Sequence, residues 1–260
     1  MNDNLPDGGL NGCGVLITRP EHQSKELAAE VEAAGGNVFH FPAIDIIGRD
    51  VLEIGREFAT LNKPDIVIFV SSNAVAYGLP VVKGIRTKIA AVGPATRAAI
   101  EALHVSVDIS PADGFDSEHL LKHDSLQAVD GKNIIIMRGQ SGREMLGDTL
   151  RERGANVDYL CVYNRIPHEP TLADLEDLES ALNQQRIHFV TVLSAETVEF
   201  LVQILPPQSL GLLRKSTLVA PSARVLQTAS ELIPGIATEL VQGPQAPAVV
   251  STLIRLRQTG

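Results

Sequence analysis

Short apolar runs alternate with longer amphipathic stretches from about residue 12 to the end of the chain. GVLITRP (14–20) reads as a strand running into a turn. Behind it, Glu21 to Ala34 carries Leu27, Val31 and Ala34 at helical spacing, and Gly35-Gly36 ends the helix. NVFHFPAIDII (37–47) is extended, and residues 50–61 read as a second helix. DIVIFVSS (65–72) is apolar without alternation, the pattern of a parallel strand buried on both faces. Further strands are predicted at KIAAVGP (88–94), VSVDISP (105–111), NIIIMRG (133–139), VDYLCVYNR (157–165), HFVTVLS (188–194), TLVAPS (217–222) and TELVQG (238–243). Helical stretches separate most of them. Strands alternating with helices predict an α/β fold with parallel sheets.

The pattern is written twice. GVLITRPEHQSKELAAEVEAAGGNVFHFPAIDI aligns with NIIIMRGQSGREMLGDTLRERGANVDYLCVYNRI, Val15 falling on Ile134 at an offset of 119. IVIFVSSNAV aligns with FVTVLSAETV at an offset of 123, and Pro94 of AVGPATR meets Pro221 of VAPSAR at 127. The blocks keep their order and the offset drifts slowly, as when only loops change length. The chain therefore reads as two copies of one α/β unit.

The extended stretches 37–47 and 156–168 fall at equivalent places in the copies. Each is longer than the average strand of about 5–6 residues. Each also carries a proline, Pro42 or Pro167, which cannot donate to a central ladder. Both suit a segment that crosses between domains. The expected organisation is two similar parallel-sheet domains joined by a two-stranded connector. Domain one comprises 1–41 and 167–260, domain two 45–163, with connectors near 42–44 and 164–166. A cleft between matching domains is then the expected ligand site.

Composition narrows the choice. At 260 residues the chain fits one large or two small domains. It lacks tryptophan and is only 4% aromatic, so its core must be aliphatic. A net charge of −9 disfavours sequence-independent nucleic-acid binding. Cys13 and Cys161 have neither metal spacing nor a disulfide framework and are expected to be buried free thiols in a reducing cytosol. The opening MNDNLPDGGLNG is polar and is expected to be a frayed tail rather than a signal peptide. No apolar run reaches the roughly 18 residues of a membrane span.

In open parallel sheets, ligands sit beyond the carboxyl ends of the strands. The turns there are Thr18-Arg19-Pro20, Ser71-Ser72-Asn73, Gly93-Pro94-Ala95-Thr96-Arg97, Arg138-Gly139-Gln140-Ser141-Gly142-Arg143, Ser194-Ala195-Glu196-Thr197 and Pro221-Ser222-Ala223-Arg224. Most join a small or hydroxyl residue to a helix start. Such residues cap helices, and the same free N–H groups hold carboxylates or phosphates. The turn after NIIIM resembles a phosphate loop but fails as one: Arg143 and Glu144 follow Gly142 where lysine and a hydroxyl are needed. No G-x-S-x-G elbow exists, and the histidines are scattered. His119 and His123 stand four apart on a predicted helix, without a third ligand in view. Tyr163 ends the long second stretch and is placed to face a cleft. Tyr159, four residues before it, would share its face in a regular strand. Three readings remain open here: an enzyme for a polycarboxylate, a two-domain binding protein, and a nucleotide-dependent transferase.

ITRP, VSSNAV, AVGPATR, RGQSGREMLGDTLRERGANV and VYNR, in that order over roughly residues 13–257, resemble the uroporphyrinogen-III synthase family. RGxxGRExLxxxLxxxGAxV is the most specific piece. The resemblance implies two α/β domains with a two-stranded connector and no cofactor. It implies that hydroxymethylbilane, a linear tetrapyrrole rich in acetate and propionate groups, is cyclised with loss of water and inversion of ring D. It assigns the proton donor to Tyr163. It also implies substrate binding at the turns, through Thr18, Arg19, Ser71, Ser72, Asn73, Gly93, Ala95, Thr96, Arg138, Gly139, Gly142, Arg143, Ser194, Ala195 and Ser222. The expected chain is a cytoplasmic monomer without nucleic-acid or membrane partners, in transient contact with the upstream bilane synthase. The sequence departs from the family at LSAET, where many members have a second serine, and in VAPSARV.

Overall fold

Aliphatic and β-branched runs form the strands, and most are followed by a helix that covers them. In chain order the strands are β1 (Gly14–Ile17), β2 (Asn37–His40), β3 (Ile44–Gly48), β4 (Ile66–Phe69), β5 (Lys88–Ala91), β6 (Asn133–Gly139), β7 (Asn156–Pro167), β8 (Ile187–Thr191), β9 (Thr217–Ala220) and β10 (Ala237–Leu240). The helices are α1 (Glu21–Ala33), α2 (Val51–Thr60), α3 (Ser72–Val82), α4 (Pro94–Glu101), α5 (Ser117–Leu120), α6 (Met145–Glu152), α7 (Leu172–Asn183), α8 (Ala195–Ile204), α9 (Pro207–Leu213), α10 (Ala223–Leu232) and α11 (Ala246–Thr259). This is a computed structural model, describing residues 9–259 apart from Phe115 and Arg143.

The strands make two five-stranded sheets, ordered β10-β9-β8-β1-β2 and β3-β7-β6-β4-β5. Pairing is parallel throughout the first sheet and across β7-β6-β4-β5 of the second. The chain divides into two compact units, one of residues up to Asp45 with those from Ile166 on, the other Ile46–Arg165. The unit boundaries fall within β3 and within β7.

The sequence repeat reappears as topology. β6, β7, β8 and β9 are the counterparts of β1, β2, β4 and β5, and with that substitution β9-β8-β1-β2 and β5-β4-β6-β7 are the same order. Each sheet therefore combines the first half of one copy with the second half of the other. Beyond β5, where β10 has its counterpart, only a single bridge joins Ala90 to Ile109. The strand expected over 105–111 is thus not formed. The Asp108 carboxylate instead accepts the Ile89 N–H that a ladder would use, at 2.8 Å.

Burial explains the apolar runs. β1 and β4 are buried at every residue, whereas the edge strands β2 and β10 are exposed at both ends. Alternation along each strand sends neighbouring side chains to opposite faces. In the first unit Leu16, Val190 and Leu218 pack under α7, α8 and α10, while Val15, Ile17 and Val219 pack under α1 and α11. In the second, Val67, Phe69, Ile135 and Met137 face α2, α3 and α4, while Ile66, Ile68, Ile134 and Ile136 face α5 and α6.

Two further expectations are corrected. The stretch 37–47 is not continuous: β2 ends at His40 and β3 begins at Ile44, with Pro42 in the gap. His119 and His123 do not share a helix. α5 stops at Leu120, and His123 caps the following 3-10 turn by accepting the Ser125 N–H at 3.2 Å. No group of three or more His, Cys, Asp or Glu among the described residues is arranged to hold a metal ion. No described helix is long and apolar enough to cross a membrane.

The β1–β8 register shifts between Gly14 and Val15, and a Cβ on Gly14 would overlap the Arg186 carbonyl. Gly14→Ala is expected to lower the unfolding free energy by about 1–3 kcal/mol, the usual cost of overpacking. A denaturant melt measures it.

Candidate active site

The most distinctive feature of the second unit is an irregularity in β7. Along β6 and β7 the pairs run in step from Asn133↔Asn156 to Arg138↔Cys161, and then Gly139 pairs with Tyr163. β7 thus carries one extra residue, Val162, and bulges. The bulge overturns the expectation that Tyr159 and Tyr163 share a face. Tyr163 joins Leu160 and Val162 in the core beneath α3, while Tyr159 packs on the opposite side with Leu146 and Leu150.

Tyr163 is fully buried. Its ring lies 6.2 Å from that of Tyr77 and flat enough against Gly139 that a Cβ there would come within 2.8 Å of Cε2. Its hydroxyl is 3.3 Å from Ser71 Oγ and accepts from Arg165 Nη2 at 3.1 Å. Ser71 is the N-cap of α3, and its Oγ accepts the Ala74 N–H at 3.1 Å. Ser72, exposed at the first turn of α3, donates to the Ala95 carbonyl at 3.3 Å and so ties α3 to the start of α4. Gly93 caps α4 without a side chain, Pro94 occupies its first turn, and Thr96 is buried. Asn73 lies in the first turn of α3. Ser71, Ser72, Ala95, Gly139 and Tyr163 are therefore joined at the carboxyl ends of β4, β5, β6 and β7.

Arg138 lies at the same end of the sheet. It is 9% exposed, with its guanidinium 4.4 Å from the centre of the Tyr159 ring. Nη2 donates to the Gly142 carbonyl at 3.3 Å. Nη1 is 2.9 Å from Glu144 Oε1, an ion-pair distance without the alignment of a hydrogen bond. Arg151 lies over the same ring at 5.2 Å. The Tyr159 hydroxyl, first, and Arg138 hold the Glu144 carboxyl below its ordinary value of 4.5. Burial, then Glu144, pushes the Tyr159 phenol up. Arg143 lies outside the described residues.

The first unit carries the remaining candidates. Thr18 is fully buried and donates to the Thr191 carbonyl at 2.8 Å, so its hydroxyl is spent on the β1–β8 seam. Arg19 donates to the Pro244 carbonyl at 3.0 Å, and burial lowers its pKa against the pull of Glu26. Ser194 caps α8, accepting the Thr197 N–H at 3.1 Å, and Ala195 follows as its first residue. Ser222 caps α10 by accepting the Val225 N–H at 3.4 Å. All lie at the carboxyl ends of β1, β8 and β9. Cys13 and Cys161 are unpaired and half-buried.

Arg165, Tyr77 and Glu144 touch the candidate residues Tyr163 and Arg138, contacts that sequence reasoning missed. Arg165 stood in the VYNR motif, two residues after the tyrosine it bonds, and that spacing was its only signal.

Gly139→Ala is expected to push the Tyr163 ring off Ser71 and cost about 1–3 kcal/mol, read as a lower denaturation midpoint. The Glu144 pair has a pH signature. A carboxyl held low in the folded state stabilises above its unfolded value, near 4.5, and loses that effect as pH falls through the lower folded value. Wild type is therefore expected to exceed Glu144→Gln in stability at neutral pH, and the difference should close in acid.

A family model described as uroporphyrinogen-III synthase HemD matches residues 25–238. The uroporphyrinogen-III synthase of Escherichia coli (strain K12) is 30% identical over 201 residues, 74% of this chain and 80% of that protein. That of Salmonella typhimurium (strain LT2) is 34% identical over 159 residues, 58% of this chain and 64% of that protein. Among solved structures, uroporphyrinogen-III synthetase from Helicobacter pylori 26695 matches with a TM-score of 0.65 at 14% identity, over 94% of this chain and 100% of that one. A mutant uroporphyrinogen III synthase from the extremely thermophilic bacterium Thermus thermophilus matches with a TM-score of 0.58 at 16% identity, over 95% and 100%. Those two likenesses speak for the α/β fold. The family model and the Escherichia coli relative together establish that this chain belongs to the uroporphyrinogen-III synthase family.

Proposed function

We propose that this chain cyclises hydroxymethylbilane to uroporphyrinogen III, a cyclising lyase reaction of tetrapyrrole biosynthesis. The hydroxymethyl group on ring A leaves as water. The azafulvene so formed is attacked by the substituted end of ring D, and the spiro intermediate fragments and recloses with ring D inverted. The bilane also closes unaided, through the free end of ring D and so without inversion, and the protein's task is chiefly to position the chain for the other closure. The step that needs chemistry from the protein is protonation of the departing hydroxyl.

One arrangement carries this reading. At the carboxyl ends of β4–β7, a tyrosine hydroxyl reaches the cap of α3, beside the exposed start of α4. Backbone N–H groups at Ser72, Asn73, Ala95 and Thr96 would hold acetate and propionate carboxylates, favoured by the helix dipoles. Ala195 and the residues after Ser222 would do so in the first unit, with Arg19 and Arg138 as cationic supports. Tyr163 would be the source of the proton. Gly93 and Gly142 would keep their turns open to a ligand, while Gly139 makes room for the Tyr163 ring.

The two unpaired thiols suit a reducing, cytoplasmic setting. Each unit closes its core within one chain, which suits a monomer. The bilane's spontaneous closure favours direct transfer from the upstream bilane synthase.

The test is an isomer assay. Purified protein is added to freshly made hydroxymethylbilane, and the oxidised products are separated as type I and type III uroporphyrin. Type III is expected to dominate. Type I alone, at the rate seen without protein, would overturn the proposal and favour a binding protein of the same fold.

A further inference from the structure

The hydrogen bonds around Tyr163 have a direction. Arg165 Nη2 can only donate, so the phenolic oxygen accepts from it. The phenolic proton then needs an acceptor, because Tyr163 is fully buried and an unmatched buried donor is costly. Ser71 Oγ, at 3.3 Å, is that acceptor. Ser71 Oγ already accepts the Ala74 N–H at 3.1 Å, so both its acceptor positions are filled. Its own proton is left to point away from the core. Ser71 is half-buried, and Tyr163 has no exposed surface.

We infer that Ser71, rather than Tyr163, is the group that hands the proton to the departing hydroxyl, with Tyr163 behind it as the reservoir and Arg165 as the positioning residue. This rests on the synthase reading. As the carbon–oxygen bond breaks, the Ser71 proton passes to the leaving oxygen, which departs as water. Ser71 Oγ takes the phenolic proton in the same movement, and the guanidinium of Arg165 faces the phenolate. When ring D forms its final bond, its terminal carbon sheds a hydrogen as a proton, which restores the pair. No net proton is gained or lost, and the product is the macrocycle plus one water.

The test is single-turnover kinetics on fresh hydroxymethylbilane, with product isomers counted and each variant's thermal melt recorded. Ser71→Asn keeps a good helix cap but has no hydroxyl. It is expected to slow type III formation by roughly 10²-fold with bilane affinity retained. Tyr163→Phe is expected to slow it comparably, and the double variant no further, because both act on one proton path. Ser71→Thr keeps cap and hydroxyl and is expected to lose much less rate than Ser71→Asn. Arg165→Met should lower kcat with little change in KM, and Arg165→Lys should recover part of the loss. A wild-type rate in Ser71→Asn, or losses that multiply in the double variant, would overturn the relay while leaving the synthase activity standing. A wild-type protein that makes only type I would remove both.

Discussion

One extra residue in β7 sets where Tyr163 lies in the second unit. Without the bulge after Cys161, strict alternation would turn Tyr163 to the face on which Tyr159 lies, away from α3. With it, the phenol sits under the α3 cap and against the Cα of Gly139. Three constraints then lock together: the register shift, the missing side chain at Gly139 and the serine at position 71. The backbone N–H of Gln140 bonding the Tyr163 carbonyl at 3.1 Å resumes the ladder past the bulge. The polar contacts of the tyrosine, including that to Arg165, follow from this seating.

The two units share a plan but not this feature. Ser71 and Ser194 are equivalent caps, and Arg19 and Arg138 are equivalent arginines, each anchored on a backbone carbonyl. The residue 119 positions before Tyr163 is Ile44, which has no proton to give. The buried tyrosine contact is thereby confined to the second unit, and the first unit has capped helix starts without it. Neither copy can fold its sheet alone, since each sheet takes strands from both halves of the chain.

Much of the fold was legible because buried parallel strands print as unbroken apolar runs and their helices carry a separate period. The repeat was legible because the turns between them kept their hydroxyls, arginines and prolines. Failures came where one residue decides the outcome. Asp108 takes over a ladder N–H, so 105–111 reads as a strand and is not one. Pro42 breaks a stretch that looked continuous. The bulge in β7 leaves no mark in periodicity, so the facing of Tyr163, its burial and its contact with Arg165 were beyond sequence reasoning. The turns themselves were found from strand ends and capping residues, although Thr18 proved to be spent on the β1–β8 seam. The name of the activity came from ordered motifs rather than from any single residue.

The central claim is that substrate lies against the carboxyl ends of β4–β7, with Ser71 facing it and Tyr163 behind. A crystal structure of the product complex, grown without oxygen to keep uroporphyrinogen III reduced, tests it most directly. The account predicts carboxylates on the N–H groups at the starts of α3 and α4, and Ser71 Oγ closer to a pyrrole ring than the Tyr163 hydroxyl. Product bound at the amino ends of the strands, or a Tyr163 hydroxyl swung out to touch a pyrrole directly, would contradict it.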